Sequence, residues 1–165
     1  MKSAPILAMA ILLSACGLRP LYGGGSAGTV ATALRSVEVA PIPGQAGWLM
    51  MNELKERLHS TGLGEPAYRL EVEIDDNIIG FGIRGDRATT RERRTLRARY
   101  RLVEVATGGV VLDATAGSDA GIDVVSSEYA TVAAEQTALE RLSEVVADQI
   151  VGRIGLFASR SASAQ

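Results

Sequence analysis

Residues 13–16, Leu13-Ser14-Ala15-Cys16, carry the clearest chemistry in this chain. They follow Lys2 and an apolar run from Ile6 to Leu13. One positive charge, about ten apolar residues and small residues at a cleavage point make residues 1–15 a secretory signal peptide. The run is too short to span a bilayer, which needs about 20 apolar residues. Leu-Ser-Ala-Cys also matches the bacterial lipobox. In that motif the thiol is alkylated with diacylglycerol, the chain is cut before the cysteine, and the new amine is acylated. Cys16 is then the lipidation site, with covalent S-diacylglycerol and N-acyl groups and no other cofactor. The bland alternative is a plain secreted protein whose first mature cysteine is an accident. Cys16 is the only cysteine, so no internal disulfide forms despite export to an oxidising space. Two or more acyl chains hold a protein stably, at about 0.8 kcal/mol per buried methylene. Gly17, where inner-membrane lipoproteins of enteric bacteria often carry Asp, favours the outer membrane, on its periplasmic side.

The second concentration of chemistry is cationic. From Arg84 to Arg101 there are eight arginines and two acids, Asp86 and Glu92, a local net charge of +6. Arg91, Arg93, Arg97, Arg99 and Arg101 share odd-number parity, which on a strand puts them on one face. The plainest account is a solvated sheet face. Arg69, Glu71, Glu73 and Asp75 alternate on the neighbouring strand, and cross-strand pairs there are each worth about 0.2–1 kcal/mol. Those three acids face Arg97, Arg99 and Arg101, leaving Arg84, Arg87, Arg91, Arg93 and Arg94 near a loop without obvious mates. Arginine forks grip phosphates and carboxylates. The sharper account is therefore an anion-recognition surface of Arg91, Arg93, Arg94, Arg97 and Arg99, for a phosphorylated glycolipid or acidic groups of a partner protein.

Other chemistries lack their parts. No catalytic set is expected. His59 is the only histidine and reads as a solvated helix residue, so no metal set forms. Ser118, Ser126 and Ser127 lack a nearby base, and no Gly-x-Ser-x-Gly occurs. Asp75 with Asp76, and Asp119 with Asp123, are paired carboxylates that more often solvate turns or helix starts. Arg84-Gly85-Asp86 resembles an adhesion tripeptide but sits in a glycine-rich turn. Nucleic acid is a poor partner: without Lys2, the remaining 16 basic and 19 acidic residues give a net charge of −3.

Six elements must position these groups. Arg35 to Ala40 alternates as a strand closed by Pro41 and Pro43-Gly44. Gly47 to Ser60 is helical, with Met51, Leu54 and Leu58 on one stripe and Glu53 four before Arg57. Tyr68 to Asp75 is a strand that continues towards Phe81. Thr90 to Val105 is a long strand with Leu96, Ala98, Tyr100 and Leu102 inward. Thr107-Gly108-Gly109 turns it into Val110 to Ala116. Ser126 or Ser127 caps a long helix to about Phe157, whose stripe is Val132, Gln136, Leu139, Leu142, Val146, Ile150 and Ile154. Each strand has one apolar face. The expected fold is α+β, a two-layer sandwich with a four-stranded, mostly antiparallel sheet covered on one face by two helices in the order β-α-β-β-β-α. Its domain spans residues 34–158. Residues 16–33 are a lipidated tether reaching roughly 20–25 Å, and 159–165 a disordered tail.

Cys16-Gly17-Leu18-Arg19-Pro20-Leu21-Tyr22-Gly23 resembles the mature start of the LPS-assembly lipoproteins of the LptE family, as found in alphaproteobacteria. The element order, chain length and long final helix resemble that family too. The resemblance implies a non-enzymatic lipoprotein in the lumen of the outer-membrane β-barrel LPS translocon protein, LptD. It implies plugging that barrel, assisting its assembly and receiving LPS for insertion in the outer leaflet. A sheet with one charged face suits the polar interior of a wide barrel. An adaptor lipoprotein of another envelope lipid-transport or assembly complex remains the alternative. Low aromatic content and the run of arginines depart from the family and leave the contact positions to the pattern read above.

Overall fold

The computed structural model describes residues 28–59, 62–83 and 89–163. Their element order is α1 (Thr29–Arg35), β1 (Val37–Val39), α2 (Gly44–Leu58), β2 (Tyr68–Ile83), β3 (Thr89–Glu104), β4 (Val110–Asp123) and α3 (Glu128–Ser163). The sheet order is β1-β2-β3-β4. β1 runs parallel to β2, and the other two pairs are antiparallel. This is the expected α+β arrangement, an open mixed sheet.

The inner layer follows from alternation. Leu70 and Val72 of β2, Leu96, Ala98, Tyr100 and Leu102 of β3, and Ala116 of β4 are buried. They meet Leu139, Leu142, Val146, Ile150 and Ile154 of α3. α2 contributes Met50, Leu54 and Leu58, so its buried stripe passes through Met50, with Met51 at the margin. Gly47 allows the tight entry into α2, because a Cβ there would lie 2.6 Å from the Ile42 carbonyl oxygen. Arg57 bonds both Glu53, one turn back, and Asp148 of α3. Gln45 reaches Gln136 at 2.9 Å, so both ends of α2 are tied to α3.

Both chain ends differ from the expectation. Residues 29–33, read as tether, lie in α1, where Val30, Ala31 and Leu34 are buried. Residues 159–163, read as disordered tail, continue α3. Ala158 is buried there, and the hydroxyls of Ser159 and Ser161 donate to the carbonyls of Leu156 and Phe157 in the preceding turn. Small-residue composition alone hid that docking. β4 also outruns its expected end at Ala116. Its second half, Gly117 to Asp123, pairs with Arg91 to Arg97 of β3 although Gly, Ser and Asp are poor strand formers. Ser127 caps α3, its Oγ accepting from the N–H of Ala130 at 3.4 Å.

The domain has two poles. At one, Ala33 of α1, Val37, Tyr68 and Leu102 of the sheet and Ile154 and Phe157 of α3 line a cavity of about 300 Å³. Tyr68 meets Phe157 edge-on there, with ring centroids 6.2 Å apart. At the other stands the far end of the β2–β3 hairpin. Sixteen residues of β3 at about 3.3 Å each separate the poles by roughly 50 Å.

Candidate functional site

β3 places the arginines. Arg91, Arg93, Arg97 and Arg99 are exposed and Arg101 half-buried on the face opposite Leu96, Ala98, Tyr100 and Leu102. The β2–β3 register sets Glu71 opposite Arg101, Glu73 opposite Arg99 and Asp75 opposite Arg97. Only the first couple forms an ion pair, Arg101 to Glu71 at 3.1 Å. Arg99 turns the other way, donating to both carboxylate oxygens of Asp113 on β4 at 3.3 and 3.0 Å. That hydrogen-bonded pairing raises the Arg99 pKa and lowers that of Asp113. Arg91 reaches Asp123 at 3.1 Å. Asp113 was not singled out in the sequence, and Asp123, read with Asp119 as a turn or helix-start carboxylate, instead pairs with Arg91 because β4 runs on past Ala116.

Arg97 and Arg93 form no ion pair among the described residues. Arg97 lies across Gly117, where any Cβ would come within 2.5 Å of its Cδ and Nη1. Arg93 stacks over the Phe81 ring, its guanidinium carbon 5.4 Å from the centroid. Ile79 and Phe81 share this outer face and are 60% and 40% exposed. The far end of the sheet therefore presents two guanidinium groups, one held by cation–π contact, beside an aliphatic and an aromatic side chain. The signal for the apolar half was the adjacent pair Ile78-Ile79, which breaks the alternation of β2.

Arg94 does not belong with the others. Its even parity turns it to the inner face, where it is 9% exposed. Its guanidinium grips Asp76 with two bonds, 2.8 and 2.6 Å, and donates a third to the Glu135 carbonyl at 2.8 Å. It is thus a buried tie between β2, β3 and α3 rather than a ligand contact. Beside it Glu92 meets Glu135. Desolvation first, then the charge of and hydrogen bond with Glu135, raise the Glu92 carboxyl above its usual range. Its Oε2 is buried without a donor among the described residues.

The other sequence candidates disperse. Asp75 is exposed on the outer face while Asp76 holds Arg94 on the inner one, so the two carboxylates do not converge. Ser127 caps a helix. His59 is not a freely solvated group: it is half-buried, with Nε2 3.0 Å from the Val37 carbonyl oxygen. Among the described residues no cluster of three or more His, Cys, Asp or Glu side chains suits a metal, and no helix is long and apolar enough to cross a membrane. Cys16, the tether before residue 28, Arg84, Asp86 and Arg87 lie outside the described residues.

The family model for LptE, lipopolysaccharide-assembly, matches residues 34–154. The chain belongs to the LptE lipopolysaccharide-assembly family. Solved structures share the fold of this LptE-family domain. A lipoprotein from Caulobacter crescentus superposes with a TM-score of 0.66 at 24% identity, over 82% of this chain and 98% of its own. A minor lipoprotein from Acinetobacter baumannii gives 0.59 at 16% identity, over 74% and 92%. The rare lipoprotein B of Shewanella oneidensis gives 0.53 at 10% identity, over 78% and 95%. No curated protein matches the sequence. Membership in LptE implies a bacterial envelope lipoprotein with a role in lipopolysaccharide assembly, in a family that is not enzymatic.

Proposed function

We propose that this LptE-family chain is an outer-membrane lipoprotein, anchored through Cys16 on the periplasmic side, that plugs and helps assemble an LptD-type β-barrel and handles LPS on its way to the outer leaflet. The observation that carries the LPS-handling reading is the pairing of Arg91 and Arg93 with Ile79 and Phe81 at one end of the outer face. LPS is both phosphorylated and acylated, so its lipid A needs cationic forks and apolar surface together. The rest of the stripe, Arg97 and Arg99, extends the cationic surface along the sheet. Among the described residues, Ala33 of α1 lies at the opposite pole, roughly 40 Å along the strands from this surface. The hydrogen-bonding outer face suits the polar lumen of a wide barrel.

The test is an affinity pull-down from detergent-solubilised envelopes, paired with depletion. A β-barrel recovered near one-to-one, and misassembled barrel with reduced surface LPS on depletion, are expected. Intact barrel assembly and surface LPS after depletion would overturn the reading. Recovery of an inner-membrane transporter or soluble carrier instead would favour the adaptor role. Mass spectrometry of the native product reads the anchor directly: an uncleaved leader or a bare Cys16 thiol removes it.

A further inference from the structure

We infer that the free edge of β2, from Ile74 to Gly80, is a docking lane for an extended polypeptide segment of a partner protein that carries basic residues at alternate positions. The backbone fixes the lane. Tyr68 N–H donates to the Ser36 carbonyl at 3.0 Å, and the Leu70 carbonyl accepts from Ala40 N–H at 2.9 Å. Even-numbered residues of β2 therefore turn their backbone groups toward β1, and odd-numbered ones toward β3. β1 ends at Val39, and Pro41 and Pro43 divert the chain into α2. From Ile74 onward no strand among the described residues takes the neighbouring place. The lane-side N–H and C=O groups of Ile74, Asp76, Ile78 and Gly80 have no hydrogen-bond partner among the described residues. Seven residues at about 3.3 Å give a lane of roughly 23 Å, long enough for one ordinary strand.

The other edges are guarded. On β4, the Gln149 side chain of α3 accepts from Gly117 N–H at 3.1 Å and donates to Gly117 C=O at 3.3 Å, taking the place of a strand at mid-edge. On β1, His59 does the same for the Val37 carbonyl. No side chain among the described residues does this for β2 between Ile74 and Gly80. Exposed edges invite strand addition, and proteins ordinarily blunt them.

Charge selects the occupant. Glu73 and Asp75 flank the lane on the outer face, exposed and without an ion pair among the described residues. Ile74 and Ile78 flank it on the inner face, Ile78 being 38% exposed. A strand alternating lysine or arginine with aliphatic residues meets both flanks. A second copy of β2 does not, because its stretch from Glu71 to Phe81 has four acids and no base. This inference is independent of LPS binding at Arg91 and Arg93.

Amide hydrogen exchange on the mature chain tests it, with a capped peptide of about seven residues alternating lysine and valine as probe. Exchange at Ile74, Asp76, Ile78 and Gly80 should slow by about tenfold or more at saturation. A glutamate–valine peptide should bind far more weakly, and Glu73→Lys with Asp75→Lys should reverse that preference. Ile78→Pro removes one lane-facing N–H without touching the β3 ladder and should weaken binding at least tenfold. N-methylating the peptide amides that face the lane should do the same, which keeps the inference testable even where the proline variant misfolds. Equal binding of both peptides, protection of β4 in place of β2, or affinity indifferent to N-methylation would overturn the inference. Dimerisation of the chain alone through these amides would overturn it in favour of self-pairing.

Discussion

Arg94 holds both carboxylate oxygens of Asp76 across the inner face of β2 and β3 and reaches the Glu135 carbonyl of α3. Removing it strands a carboxylate whose side chain is 23% exposed and frees the first turns of α3. Breaking a fully buried pair costs about 3–5 kcal/mol, and the residual exposure of Asp76 brings Arg94→Ala down to roughly 2–3 kcal/mol. Arg93→Ala, one residue away on the outer face, should cost no more than about 1 kcal/mol. Urea denaturation separates the two, and equal midpoints would return Arg94 to the ligand surface.

Glu92 gives the fold a pH dependence of known sign. Its folded pKa lies above the ordinary value, through desolvation and then Glu135. The charged group facing it from a neighbouring element is Glu135 on α3. The neutral form is the one the fold favours. Its contribution is complete below the ordinary carboxylate range and is lost as pH rises through the raised value. Glu92→Gln should therefore match the parent near pH 4 and exceed it in stability at pH 8, measured by thermal melts at both. A variant less stable than the parent at pH 8 would show that the ionised carboxylate is the favoured form.

These two residues also mark where the sequence was legible. The odd-parity arginines, the register of Glu71, Glu73 and Asp75 against them, and the helix stripe from Leu139 to Ile154 all follow from periodicity. Arg94 was equally legible by parity, since its even position sets it on the face opposite Arg91, Arg93, Arg97 and Arg99 despite the continuous run of charge. β4 beyond Ala116 was not, because Gly117, Ser118 and Gly121 have no intrinsic strand preference and are held by pairing to β3. Val132 began the expected stripe yet is 55% exposed, because the first turns of α3 bring Thr131 and Glu135 inward in its place. α1 was hidden by a tether-like composition, and its buried Val30, Ala31 and Leu34 belong to a helix that packs on α3.

The LPS reading makes its own demand on Arg91 and Arg93. Reversing both to Glu places acids beside Asp123, Ile79 and Phe81. Folding should survive with a loss within about 1 kcal/mol, since both side chains are exposed. LPS binding at low salt should fall about tenfold or more, each tenfold being ~1.4 kcal/mol. The difference from the parent should shrink as ionic strength rises and the Debye length shortens. Unchanged binding at low salt would assign the stripe to solubility of the sheet.

Gln149 sets a last condition. Its amide occupies the free backbone groups of Gly117 at the middle of a fourteen-residue edge strand. Gln149→Ala exposes those groups while removing only two solvent-accessible hydrogen bonds, so monomer stability should fall by about 1 kcal/mol or less. The larger effect should be association: with the mid-edge block gone, β4 becomes a continuous template for another chain. Asp113, Asp119 and Asp123 still oppose pairing through charge, so the variant should associate more as salt screens them. Sedimentation velocity across protein concentration and ionic strength reads this out. A variant that stays monomeric at high salt would mean that those aspartates, or the twist of the strand, and not Gln149, keep the edge closed.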